Sequence, residues 1–180
     1  VWLDASTLRP VKYSFRLREG KYKANCDYTY NWNTKKVTTV FHNLRKPEPV
    51  TTVMSVSDKK TDPLALFYNL RSEDLSKYVQ GKGNTLNIVL DDTTRAVTFT
   101  YLGKEQRNIK KLGKFDTLKF SCTIATSSGE SFDDGSVFYL WITDDKNKIP
   151  VYLESPIKVG SVRVTLTKYQ NLAHPLTSKK

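Results

Sequence analysis

Histidine, methionine and cysteine are nearly absent: the 180 residues include two His, one Met and two Cys. Histidine is the commonest general base at neutral pH, and His42 and His174 are the whole supply. His42 lies in a strand-like run and His174 precedes Pro175, so both read as structural or surface residues rather than members of a hydrolase triad. No Gly-Xaa-Ser-Xaa-Gly elbow, phosphate-cradling glycine loop or dinucleotide fingerprint occurs, so no cofactor is indicated. The two cysteines stand far apart, as do the two histidines, which removes the usual zinc ligand clusters. Cys26 and Cys122 each fall on the apolar face of a run, so two buried thiols are expected rather than a disulfide. Long apolar runs are missing too. None approaches the ~20 residues that cross a bilayer as a helix, so no transmembrane helix is expected. No signal peptide is visible, and the opening at Val1 reads as a processed or truncated amino terminus.

Acidic residues are short relative to basic ones, 18 against 29, for a net charge of +11. Such a surface attracts polyanions. The basic residues are spread along the chain, which fits a solvated surface whose lysines also blunt sheet edges. Aromatic residues are plentiful, with ten Tyr, eight Phe and three Trp; that suits half-buried strands and excludes a disordered chain. The length fits one domain over residues 1–180, large enough to bury a core without disulfide staples.

Strict alternation dominates the pattern. Tyr13, Phe15 and Leu17 oppose Lys12, Ser14, Arg16 and Arg18. After a turn at Glu19-Gly20-Lys21, the residues Tyr22, Ala24, Cys26, Tyr28, Tyr30 and Trp32 share one face. A hairpin at residues 33–36 leads into a strand over 37–45, which Pro47-Glu48-Pro49 ends; a short apolar run over 50–56 follows. Asp62-Pro63 is an N-cap with proline at the first helical position. Leu64, Phe67 and Leu70 then mark a helical stripe, and Ser72 or Asp74 starts a second turn through Leu75 and Tyr78. Strands resume with Leu86, Ile88 and Leu90, a turn at residues 91–94, and Val97, Phe99 and Tyr101. Leu118, Phe120, Cys122 and Ile124 line the next face, before a polar loop over 127–135. Residues 137–143 are apolar on both sides, which marks a strand covered on both faces. A tight turn at 144–148 leads to strands at 149–154 and around Val162, Val164 and Leu166; the tail from Asn171 is expected to fray. The fold class is therefore mostly β: an antiparallel meander forming a curved sheet or partial barrel, with one short helical segment near 62–78 packed on it.

Few residues offer chemistry. Asp144, Asp145 and Asn147 supply oxygens on one turn, but their spacing is not that of an EF-hand, and the same residues are ordinary turn formers. The pair Asp133-Asp134 is read likewise. Glu130, Asp133 and Glu154 can be named as carboxylates for glycoside chemistry, yet nothing singles them out. Lys12, Arg16, Arg18, Lys21 and Lys23 line polar strand faces, while the aromatics alternate onto the opposite faces. A single-strand nucleic-acid platform needs both on one surface, so nucleic-acid binding is not expected.

Several segments in order carry a resemblance: Asp62-Pro63-Leu64-Ala65-Leu66-Phe67-Tyr68-Asn69-Leu70-Arg71, Tyr101-Leu102-Gly103-Lys104-Glu105 and Lys111-Leu112-Gly113-Lys114-Phe115. So do Leu140-Trp141-Ile142-Thr143-Asp144-Asp145-Lys146-Asn147-Lys148-Ile149-Pro150-Val151, Glu154-Ser155-Pro156-Ile157-Lys158-Val159-Gly160-Ser161 and His174-Pro175-Leu176-Thr177-Ser178. In combination they resemble a bacterial family known as Domain of Unknown Function 3108, commonest in Bacteroidetes. The resemblance implies an exported protein, periplasmic or envelope-associated, with an antiparallel β fold and no assigned activity. It also implies further aromatic-rich strands ahead of Val1.

The expected function is a non-catalytic extracytoplasmic binding module for a lipophilic or amphiphilic envelope ligand. Tyr28, Tyr30, Trp32, Phe67, Phe99, Tyr101, Phe138 and Trp141 are the candidates to line its site. The alternative is a structural or interaction module that meets an envelope protein partner through a sheet edge or its basic face.

Overall fold

In the computed structural model, residues 1–57, 60–90, 93–124, 137–156 and 160–180 are described. The expected turn at Asp91-Asp92, the loop over 127–135, Asp133-Asp134 and Glu130 lie outside them. The chain is mostly β and groups into two compact units, Val1–Leu70 with Leu86–Arg95, and Arg71–Thr85 with Ala96–Lys180.

The first unit holds a five-stranded antiparallel meander, β1 (Trp2–Leu3), β2 (Pro10–Glu19), β3 (Tyr22–Asn31), β4 (Lys36–Asn43) and β5 (Val50–Ser55), paired in chain order. Period-two patterning builds it. Ala24, Cys26, Tyr28 and Tyr30 are buried along β3, while Lys23, Thr29 and Asn31 are exposed. Tyr28 stands between Tyr13 of β2 and Thr39 of β4, and Tyr30 stands opposite Val37. These inward side chains form a core with Val56 and Val89. Between β2 and β3, Gly20 takes φ +53°, a left-handed turn position that glycine adopts without strain.

A short strand β6 (Lys60–Thr61) leads into α1 (Pro63–Ser72). Asp62 caps the helix: its Oδ1 accepts from the amides of Leu64 and Ala65, each at 2.8 Å. The expected stripe needs correcting. Ala65, Leu66 and Leu70 are the buried helical residues, and Leu64 is 44% exposed. Three-residue steps advance about 300°, so a 64/67/70 series drifts around the helix, whereas the four-residue pair Leu66–Leu70 holds the face better. A 3-10 turn at Leu75–Lys77 follows, capped by Asp74.

The remaining strands are β7 (Gly83–Leu90), β8 (Thr93–Ile109), β9 (Gly113–Ile124), β10 (Val137–Thr143), β11 (Pro150–Pro156) and β12 (Ser161–Thr165). The second sheet runs β12-β11-β10-β9-β8-β7-β6, and among the described residues it does not close into a barrel. Its pairs from β8 to β12 are antiparallel, and β6 runs parallel to β7. As the two-sided apolar pattern requires, β10 is interior, with Leu140, Trp141, Ile142 and Thr143 buried.

Sequence patterning placed only the start of β8. The strand continues to Ile109 through a bulge at which Tyr101 faces Phe120 but Gly103 faces Lys119. Gly103, at φ +116°, takes a backbone angle closed to most side chains. The bulge switches faces. Before it, Phe99 and Tyr101 stand opposite Cys122 and Phe120; beyond it, Glu105 and Arg107 stand opposite Thr117 and Phe115, on the other side of β9.

The tail does not fray. The Asp116 amide donates to Ser178 O and the Lys180 amide to Lys114 O, each at 2.8 Å, and Lys179 bridges Phe115. Asn147 Nδ2 donates to His174 O at 3.0 Å, and the His174 amide donates back to Asn147 Oδ1 at 3.1 Å. A polar, proline-containing segment carries no periodic signal, because its anchors are backbone groups and the Ser178 hydroxyl, whose partners lie far away in sequence.

Candidate ligand-binding cleft

Within the second unit, β8 and β9 present Tyr101, Leu118 and Phe120 beside the chain that leaves α1. The Tyr101 and Phe120 ring centroids are 5.5 Å apart. Asp74 caps the start of the 3-10 turn by accepting from the Ser76 amide at 3.1 Å and the Ser76 hydroxyl at 2.6 Å. The resulting turn stands Tyr78 edge-on to Phe120, at 5.9 Å and 86°. Two hydrogen bonds of 2.9 Å tie the segment to β8 at the bulge, from the Gly81 amide to Tyr101 O and from Gln80 Nε2 to Leu102 O.

Charged side chains form the rim. Lys104 Nζ pairs with Asp144 Oδ2 at 2.6 Å, and Lys148 Nζ donates to Glu73 O. Together these elements bound a cleft of about 440 Å³, lined by Leu75, Tyr78, Tyr101, Leu118 and Phe120 and edged by Asp74, Ser76, Lys104, Asp144, Asp145 and Lys148. Burial, and then the neighbouring Glu73 carboxylate, push the Tyr78 phenol up to about 12, so it stays neutral at physiological pH. The Asp144 carboxylate raises Lys104 and keeps its ammonium charged.

The turn over 144–148 is a structural hub. Asp145 Oδ1 accepts from Thr143 Oγ1 and the Asn147 amide at 2.9 Å each, and from the Lys148 amide at 3.3 Å; Oδ2 accepts from Ser178 Oγ at 2.6 Å. Burial opposes its charge, but the bonds from Ser178, Thr143 and Asn147 outweigh burial and hold the carboxyl below its usual value. Both oxygens are thus occupied by protein donors, as in a structural turn. Among the described residues, no three of His, Cys, Asp and Glu gather as metal ligands.

The sequence-derived aromatic candidates do not converge. Tyr28 and Tyr30 are buried in the first unit's core. Trp32 stacks on Tyr30 at 5.8 Å and donates to Pro10 O at 2.7 Å. Phe67 is half-buried on α1. Phe99 and the half-buried Phe138 stand on either side of Cys122, in one cross-strand row. Trp141 stands opposite Lys119, on the other side of β9 from Phe120, with the Arg107 guanidinium 4.3 Å above its ring. Tyr101 alone among the candidates lines the cleft. Tyr78 and Phe120 were visible as an end-of-helix aromatic and a strand-face aromatic, but no local pattern shows that they meet. Glu154 binds Arg163 at 3.0 Å and lies 3.8 Å from Arg107, so it belongs to a surface charge network rather than a carboxylate pair. Cys26 and Cys122 are buried and not joined in a disulfide.

A family model described as "Protein of unknown function (DUF3108)" matches residues 1–167. No curated protein and no solved structure matches the chain.

Proposed function

Since the chain belongs to the family described as "Protein of unknown function (DUF3108)", we propose a role from its own geometry: a non-catalytic module that binds an amphiphile in the second unit's cleft. One observation carries the reading. The cleft joins an aromatic and aliphatic floor to a rim of paired charges, at a volume of about 440 Å³. Ligand pockets commonly fall between roughly 300 and 1,000 Å³, with mostly apolar walls and a few oriented polar groups. An acyl or ring portion would lie on Tyr78, Tyr101 and Phe120, and a polar head would exchange into the Lys104–Asp144 pair or toward Lys148.

The rim also supports a binding role over a catalytic one. Asp145 is saturated by donors, Asp144 is held by Lys104, and Tyr78 is kept protonated. None is poised as a base. We extend the proposal to place the module at the cell envelope, periplasmic or surface-bound, as resemblance to an exported family implies.

Native mass spectrometry of the protein purified from its own organism tests the reading. A reproducible lipid-sized adduct, lost on Tyr101→Ala or Tyr78→Ala substitution, is the expected result. An adduct that survives both substitutions contradicts the assignment to this cleft.

A second reading is an interaction module with a protein partner at a sheet edge. Edge strand β12 favours it, leaving Val162 and Val164 51% and 58% exposed. Apolar side chains beside unpaired backbone groups suit strand addition.

A further inference from the structure

The outer face of the first unit's sheet has a character that the cleft does not explain. Residues paired across antiparallel strands share a face, so the register defines its members. Lys12 stands opposite Trp2 and Thr29, Arg16 opposite Asn25, Arg18 opposite Lys23, and Lys36 opposite Asn31. Lys12, Arg16, Arg18, Lys23 and Lys36 are all exposed. The carboxylate among them is Asp27, opposite Ser14, and it is already engaged by the Arg16 guanidinium at 2.8 and 2.9 Å and by Ser14 Oγ at 2.6 Å. Lys23 and Lys36 make no ion pair among the described residues. The face is therefore exposed and strongly positive.

It also displays an indole. Trp2 is 57% exposed on this face, with Lys12 Nζ 5.5 Å from its ring centroid. At the opposite edge Val53, paired with Thr38, is likewise 57% exposed. An exposed Trp among cations suits a partner that accepts an amphipathic ring and negative charge together. A nucleic-acid strand would call for rings interleaved with the cations, but Tyr13, Phe15, Tyr28 and Tyr30 all pack into the core. A polysaccharide chain would stack successive sugar rings on a row of aromatic side chains, and among the described residues the register places one such ring, Trp2, on this face. A bilayer interface uses both the indole and the charges, since Trp settles at headgroup level and Lys and Arg gather anionic lipid.

We propose that this face docks on an anionic phospholipid surface, with Trp2 entering the headgroup layer and Lys12, Arg16, Arg18, Lys23 and Lys36 held over lipid phosphates. The inference is independent of the cleft. Attraction of this kind weakens within a Debye length, so binding must fall steeply as salt rises.

Co-sedimentation of the full chain with phosphatidylcholine vesicles, with and without phosphatidylglycerol, tests it. Expected are binding to the anionic vesicles alone, release between about 50 and about 300 mM salt, and a loss of roughly tenfold or more for Lys12→Ser/Lys23→Ser/Lys36→Ser. These side chains are exposed, and a thermal melt confirms that the variant folds. Trp2→Ser is expected to abolish the blue shift of tryptophan emission on adding vesicles. Equal binding to neutral vesicles, binding unaffected by the lysine substitutions, or capture by a soluble acidic polysaccharide with no vesicle binding would each overturn the proposal.

Discussion

Ser178 Oγ donates a 2.6 Å hydrogen bond to Asp145 Oδ2, joining the carboxy-terminal segment to a turn 33 residues earlier in the chain. That turn carries Asp144 and Lys148, which edge the cleft, so the tail braces one rim of the site.

Ser178→Ala removes the donor and leaves a partly buried carboxylate oxygen short of its best partner, at an expected cost of about 1–2 kcal/mol. Asp145→Ala removes all the bonds that this carboxylate accepts from Thr143, Asn147, Lys148 and Ser178 and should cost more. Urea unfolding measures both. Hydrogen exchange should show lost protection at the Asp116 and Lys180 amides, which donate to and from the same docked segment.

Acid should act through the same carboxylate. Asp145 is held below its ordinary value of 3.8 in the folded protein by Ser178, Thr143 and Asn147, against the opposing effect of burial. Its contribution is therefore present above that value and is lost as pH falls through the depressed folded one. In unfolding titrations between neutral and strongly acid pH, the stability gap between wild type and Asp145→Asn should shrink on acidification.

Asp62 should behave with the opposite sign. Burial raises its carboxyl above 3.8, despite the Ala65 and Leu64 amides that favour the charge. Its stabilising effect is thus present below 3.8 and is lost as pH rises through the elevated folded value. Asp62→Asn keeps an oxygen for the helix cap and removes the buried charge, so at neutral pH it should match or exceed the wild type. Asp62→Ala removes the cap as well and should be about 1 kcal/mol less stable than Asp62→Asn by thermal or urea unfolding.

These contrasts show what the sequence makes legible. Alternation along Tyr22 to Trp32 is a local property, and it correctly identified Ala24, Cys26, Tyr28 and Tyr30 as one face. Asp62-Pro63 and Asp74 likewise announced helix starts through chemistry confined to a few residues. The bulge at Gly103 was hidden, because one extra residue reverses facing without changing composition. Tail docking and the meeting of Tyr78 with Phe120 depend on partners distant in sequence, which periodicity cannot name. Aromatic content therefore located the cores of both units better than it located the cleft.

Arg107 offers a test of the network beyond the bulge. Its guanidinium lies 4.3 Å from the Trp141 ring centroid and 4.0 Å from that of Tyr152, and 3.5 Å from Glu105. Arg107→Lys keeps the charge but loses the planar stacking surface. A cost of about 1–2 kcal/mol is expected in urea unfolding, with Arg107→Ala costing at least as much.

Titration of the purified chain with a fluorescent fatty acid tests the central claim most directly. Saturable binding to the wild type, weakened roughly tenfold by Tyr101→Ala and by Tyr78→Ala with the fold intact, is the predicted result; a few contact residues, tyrosines prominent among them, carry most of a site's binding energy and cost more than ~1 kcal/mol when truncated. No saturable binding, or binding indifferent to both substitutions, would contradict the account.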